Sequence, residues 1–221
     1  MTDRRVVVCG SLNADTTFRV GRIPIVGETV VADATASSSG GKGANQAYAA
    51  ARTSAGHPVL MIGAVGDDGA GSVLCDELAA AGVDVTGVRR STQPTGQALI
   101  AVDRDGGNII IVAPGANHDW PADAPLAIRA DDVVVLQLEI PLAVATRIAQ
   151  HGHEVGATVV LNAAPAVDGA IGLLPFVDVL VVNEFEASQL LAVDAEDRAA
   201  VEAAAARHGT DVVVTRGEAS T

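Results

Sequence analysis

The run Gly40-Gly41-Lys42-Gly43-Ala44-Asn45-Gln46-Ala47 is where this sequence first offers chemistry. Glycines at three of its first four positions let the backbone take positive φ and approach a ligand closely. The alanine-rich residues 44–55 that follow read as a helix. The loop therefore feeds a helix N-terminus, whose free N–H groups and dipole favour anions and hydroxyl oxygens. Lys42 places a cation in the turn, and Asn45 places a forked donor and acceptor in the first helical turn. The combination suits a small polyhydroxylated or phosphorylated ligand. The run also reads as a tight turn that brings a helix close to its neighbours. It is neither a Walker loop, which needs Ser or Thr after Gly-Lys, nor the dinucleotide fingerprint.

Such a loop needs a scaffold, and the rest of the chain supplies one. Residues Val6–Cys9, 59–65, 133–138, 158–161, 177–182 and Asp211–Thr215 are short apolar runs rich in β-branched side chains, as expected of strands buried on both faces. Residues 44–55, 71–81, 142–151, Glu184–Leu191 and 195–208 read as helices between them. This alternation predicts an α/β fold with a doubly wound, mostly parallel sheet and right-handed crossovers. Two segments break the rhythm. Residues 16–37 and 96–112 hold β runs with no helix between them, the second around a turn at Asp105-Gly106-Gly107. They are expected to pair as a small antiparallel sheet over a site, or to stand as edge hairpins. Val30, Leu99 and Ile110 would then share a face available to a partner.

In open α/β sheets ligands bind beyond the carboxyl ends of the strands. Here those ends carry Asn13 and Asp15, Gln137-Leu138-Glu139, Asn162, Asn183-Glu184 and Thr215-Arg216-Gly217. Singly, each has a plainer reading, Asn13 and Asp15 as turn residues and Asn183 as a helix cap. Together, neutral and acidic groups along one rim suit the hydroxyls of a sugar better than an acidic substrate. The net charge of −13 argues against nucleic-acid or anionic-membrane partners. Cys9 and Cys75 have neither metal-ligand spacing nor a disulfide framework, and fit a reducing cytoplasm. Four apolar residues after Arg4-Arg5 are too few for a signal-peptide core. The longest apolar run, residues 133–140, is broken by Gln137 and Glu139 and spans no membrane.

With these pieces come Val65-Gly66-Asp67-Asp68, Gly115-Ala116-Asn117, Leu161-Asn162-Ala163-Ala164-Pro165-Ala166 and Asn183-Glu184-Phe185-Glu186. In their types and order the chain resembles the PfkB carbohydrate kinases. Through residues 40–47 it resembles the ribokinase branch in particular. The resemblance implies one ribokinase-like domain over residues 1–221, with the two irregular β segments as a lid that also makes a homodimer contact. It implies ATP-dependent phosphoryl transfer to the primary 5-hydroxyl of D-ribose or a related sugar. Sugar contacts would fall on Asn13, Asp15, Gly41, Lys42, Gly43, Asn45 and Glu139. The nucleotide would meet Asn183, Thr215 and Gly217, and magnesium would meet Glu186. The family's second signature, Asp-Thr-x-Gly-Ala-Gly-Asp, supplies the anion hole, the general-base Asp and the potassium site. It is not found within residues 1–221, so the general-base Asp is expected beyond Thr221. Residues 1–221 are then expected to carry the sugar half of a kinase site without the catalytic half. A non-catalytic sugar-binding protein and a nucleoside kinase of the same superfamily are the alternatives.

Overall fold

The computed structural model describes residues 4–121 and 124–217. Thr221, beyond which the general base is expected, lies outside the described residues. The main sheet has seven strands: β1 (Val6–Cys9), β4 (Val59–Gly66), β5 (Val83–Ser91), β8 (Val133–Leu136), β9 (Thr158–Asn162), β10 (Val179–Asn183) and β11 (Asp211–Thr215). They lie in the order β11-β10-β9-β8-β1-β4-β5, and every pairing is parallel. The helices are α1 (Lys42–Thr53), α2 (Gly69–Ala80), α3 (Leu142–Val155), α4 (Glu184–Leu191) and α5 (Arg198–His208).

Alternation along the strands sorts the core into two layers. Val7, Cys9, Leu60, Ile62, Val134 and Leu136 face one side, where Ala145, Ile148 and Ala149 of α3 cover them. Val8, Val59 and Met61 face the other, against Ala44 and Ala47 of α1 and Leu74 and Leu78 of α2. Burial pushes the Cys9 thiol up to about 12, so it is a packing residue and not a nucleophile. Among the described residues no helix is long and apolar enough to cross a membrane.

Strand β5 was not among the expected strands. Its sequence, Val-Asp-Val-Thr-Gly-Val-Arg-Arg-Ser, lacks the continuous apolar run of its neighbours because it is the edge of the sheet. The helix predicted from residue 44 begins at Lys42, inside the glycine run.

The two irregular segments do form a separate sheet, but it is mixed and not antiparallel. Its strands are β2 (Asn13–Arg19), β3 (Ala34–Gly40), β6 (Gly96–Val102) and β7 (Asn108–Ala113), in the order β3-β2-β6-β7. The β2–β3 and β6–β7 pairs are antiparallel, while β2 runs parallel to β6. A hairpin makes each antiparallel pair, and the chain leaves to build α1, β4, α2 and β5 before it returns, which permits a parallel join. Asn13 and Asp15 are therefore strand residues of this second sheet and not turn residues. The expected shared face is also corrected. Leu99 pairs with Ile111, and Ile100 with Ile110, so Leu99 and Ile110 point to opposite faces. Val30 lies outside the strands.

Two glycines set the approach of α1 to β1. Gly41 sits at φ 87°, a conformation that L side chains rarely adopt. A Cβ on Gly43 would lie 2.6 Å from the Ser11 nitrogen and 2.7 Å from the Gly10 carbonyl carbon. Backbone cannot yield as a side chain can. Gly43→Ala is expected to destabilise the fold by about 1–3 kcal/mol through overpacking, as read from urea unfolding. An unchanged midpoint would show that α1 tolerates a shift away from β1.

Candidate functional site

From β1 the chain builds β4 and β5 to one side, then β8 to β11 to the other. The order reverses between β1 and β8, and a crevice opens at such a switch point beyond the carboxyl ends of the strands. Glu139 lies there, three residues past β8. Its Oε2 accepts from Ser11 Oγ at 2.5 Å and from the Lys42 backbone N–H at 2.9 Å. Its Oε1 lies 3.9 Å from Lys42 Nζ. The Gly43 N–H donates to Ser11 Oγ at 3.3 Å. One carboxylate thus joins the ends of β1 and β8 to the first turn of α1, where the helix dipole favours a negative charge.

Asp15 stands two residues beyond Asn13 on the same face of β2. Its carboxylate lies over Gly40, where an added Cβ would come within 2.0 Å of Oδ2. Its Oδ1 is buried without a hydrogen-bond partner. Burial, and then the nearby charge of Glu139, raise its pKa above the ordinary 3.8. Two carboxylates within electrostatic reach of each other, one with an idle acceptor oxygen, form a site for hydroxyl donors.

Asn13, Asp15, Gly41, Lys42, Gly43 and Glu139 therefore gather at this junction. Asn45 is exposed on α1. It lines a hollow of about 280 Å³ with Ser39, Tyr48, Glu77 and Leu78. Asp15 lines a neighbouring hollow of about 300 Å³ with Ser38, Ser39, Val73 and Glu77. Ser39, Leu74 and Glu77 border both hollows, which make one groove between the second sheet and helices α1 and α2.

Further along the rim, Asn183 and Thr215 are register partners at the ends of β10 and β11. Asn183 stands two strand spacings from β8, about 10 Å, and Thr215 three, about 14 Å. Gly217 follows at φ 56°. Glu186 Oε2 accepts from the Asn183 N–H at 2.9 Å, and Asn183 Oδ1 accepts from the Glu186 N–H at 2.8 Å, closing a capping box on α4. The helix-cap reading of Asn183 is therefore met. Among the described residues no group of three His, Cys, Asp or Glu could hold a metal ion. Magnesium commonly takes one or two carboxylates, waters and substrate phosphates, and Glu186 fits that pattern only through its second oxygen.

Three participants went unassigned in the sequence. Ser11, fully buried, is the donor to Glu139. Gln137, also fully buried, donates from Nε2 to the Cys9 carbonyl at 3.0 Å. Asn117, in the short 3₁₀ turn Gly115–His118, reaches Asn13. A polar residue within an apolar run marked Gln137, and nothing in local spacing marked Asn117.

The model of the pfkB family carbohydrate kinases matches residues 3–221. The chain belongs to that family. Within the pfkB family it is 37% identical over 195 residues to the ribokinase of Schizosaccharomyces pombe, covering 84% of this chain and 61% of that protein. It is 36% identical over 211 residues to the ribokinase of Haemophilus influenzae, covering 93% and 68%. The structure of Arabidopsis thaliana ribokinase complexed with ribose and ATP superposes with a TM-score of 0.84 at 33% identity, covering 96% of this chain and 72% of that one. The chain thus spans about three fifths to two thirds of the length of these curated pfkB relatives.

The strained carboxylate gives a test of the site. A raised folded pKa means that ionising Asp15 opposes folding: stability falls as pH rises from 3.8 through the raised value. Asp15→Asn is therefore expected to raise the thermal midpoint at pH 7 by about 2 °C. The gain should shrink as the pH falls back through that window. A gain independent of pH, or a loss at pH 7, would contradict the electrostatic account.

Proposed function

We propose that the protein is an ATP-dependent sugar kinase of ribokinase type, acting on the primary 5-hydroxyl of D-ribose or a close relative. Residues 1–221 supply the acceptor pocket and one wall of the nucleotide site. The observation that carries the reading is the meeting of Asp15 and Glu139 with the Gly41–Lys42–Gly43 turn at the switch point of the sheet. Its relatives named ribokinase support the sugar and the reaction class.

In this reading Asp15 and Glu139 accept hydrogen bonds from hydroxyls of the sugar, while Lys42 and Asn13 donate to its oxygens. Asn45 reaches the sugar from the groove side. ATP would lie along the same rim, held at Asn183, Thr215 and Gly217, and the second oxygen of Glu186 would help hold magnesium. When bound, magnesium neutralises charge that develops on the phosphates. Potassium, the anion hole and the general base belong to the second family signature, which follows Thr-x-Gly and is expected beyond Thr221. The four-stranded sheet acts as a lid that excludes water from the transferred group. The location we assign is the cytoplasm, where ATP is plentiful.

Two experiments test this. Titration calorimetry with ribose should show binding by residues 1–221, weakened about tenfold in Glu139→Gln, which loses the charge at similar shape. The same 221 residues should form no ADP from ATP, magnesium, potassium and ribose, whereas a version extended to the length of the relatives should. Comparable ADP formation by both would place the proton acceptor within 1–221. Ribose binding without turnover by either would favour a sugar-binding protein. Preference for nucleosides over ribose would favour a nucleoside kinase.

We further propose that the lid makes a homodimer. Ile109, Ile110, Ile111 and Val112 on the edge strand β7 are each at least 40% exposed, and such an edge is a template for another strand. Light scattering should give twice the chain mass, and Ile110→Lys should return it to the monomer. A monomer at every concentration would overturn the dimer.

A further inference from the structure

We infer that Asn117 is a positioning residue that presents the side-chain amide of Asn13 to the acceptor as a hydrogen-bond donor. The inference rests on the acceptor reading of Asn13 proposed above. Asn117 is 1% exposed and lies where the two sheets join. Its Oδ1 accepts from the Leu12 N–H at 2.9 Å, and its Nδ2 donates to the Leu12 carbonyl at 3.1 Å. These two bonds to one residue, of opposite polarity, fix which end of the Asn117 amide is which. The same Nδ2 then donates to Asn13 Oδ1 at 2.7 Å.

The consequence falls on Asn13. Its oxygen is engaged, so the end left for a ligand is Nδ2 with its two protons. Rotating the amide by half a turn would set two NH₂ groups against each other in a buried site. Gly96 makes the contact possible, because a Cβ there would lie 2.2 Å from Asn117 Nδ2 and 2.4 Å from Asn13 Oδ1. Asp15, next on the same face, is acceptor-only when ionised. The pair therefore presents a fixed donor beside an acceptor, a pattern that a hydroxyl satisfies from both sides. A ketone lacks the proton for Asp15, and a deoxy carbon lacks both partners.

The test combines affinity, stability and the polarity of the amide. Asn117→Asp keeps an acceptor for the Leu12 N–H and puts an oxygen where Nδ2 was, so that Asn13 must turn its NH₂ inward. Ribose affinity is expected to fall about tenfold. In an Asn13→Ala background the same change should alter affinity less than about twofold, because the residue it acts through is gone. An equal loss in both backgrounds, or wild-type affinity in Asn117→Asp, would overturn the inference. If the variant does not fold, NMR of the unaltered protein decides. The Asn117 side-chain protons should exchange slowly with water and show coupling across the hydrogen bond to Asn13 Cγ, while the Asn13 amide protons exchange fast. A protected Asn13 amide with no such coupling would overturn it. The NMR readout needs no sugar, so failure of the unaltered protein to bind ribose would count against the proposed function and leave the positioning role to be judged by the amide signals.

Discussion

The Glu139 carboxylate is the constraint on which the arrangement depends. It sits where β1 and β8 diverge and accepts at once from Ser11, at the end of one strand, and from the first backbone N–H of α1. A carboxylate drawn out of water is tolerated only when its lone pairs are engaged. Here the partners that satisfy it are the elements that must meet to form the crevice. Gly41 and Gly43 let α1 come close enough to serve as one of those partners. The same contacts leave Oε1 beside Lys42 Nζ, facing the crevice. What holds the scaffold together is therefore also what sets a charged pair at the junction.

Much of this was legible in the sequence because it is local. The strands of the main sheet announce themselves as β-branched runs, and the glycine loop as a helix entry. The strand-end polar groups stand out because apolar residues flank them. Non-local geometry was hidden. That β2 and β6 run parallel follows from how two hairpins dock, not from the composition of either. The register of the β6–β7 hairpin sets which side each residue faces, and it puts Leu99 and Ile110 on opposite faces. β5 escaped notice because an edge strand needs no continuous apolar run, and its Arg89 and Arg90 reach neighbouring polar groups instead.

A residue committed to the fold can still be exposed on the rim. Asn183 caps α4 through its Oδ1, yet its strand-end position beside Thr215 leaves the residue exposed on the rim. Glu186 returns the capping bond with one oxygen and keeps the other. Asp15 goes further, since burial beside Glu139 makes its charge unfavourable until something donates to it. Ionisation of Asp15 therefore opposes the fold at that position.

The pairing of β2 with β6 carries a consequence for how the molecule assembles. Asn13 meets Gly96 only after α1, β4, α2 and β5 have been laid down between them. Contacts so distant along the chain carry a heavy loop-closure entropy and form slowly. Asn13 and Asp15 sit on the first of these strands, at that seam. A chain with its main sheet complete but this seam open would hold most of its hydrophobic core and still lack the junction of Asn13 and Asp15 with Glu139.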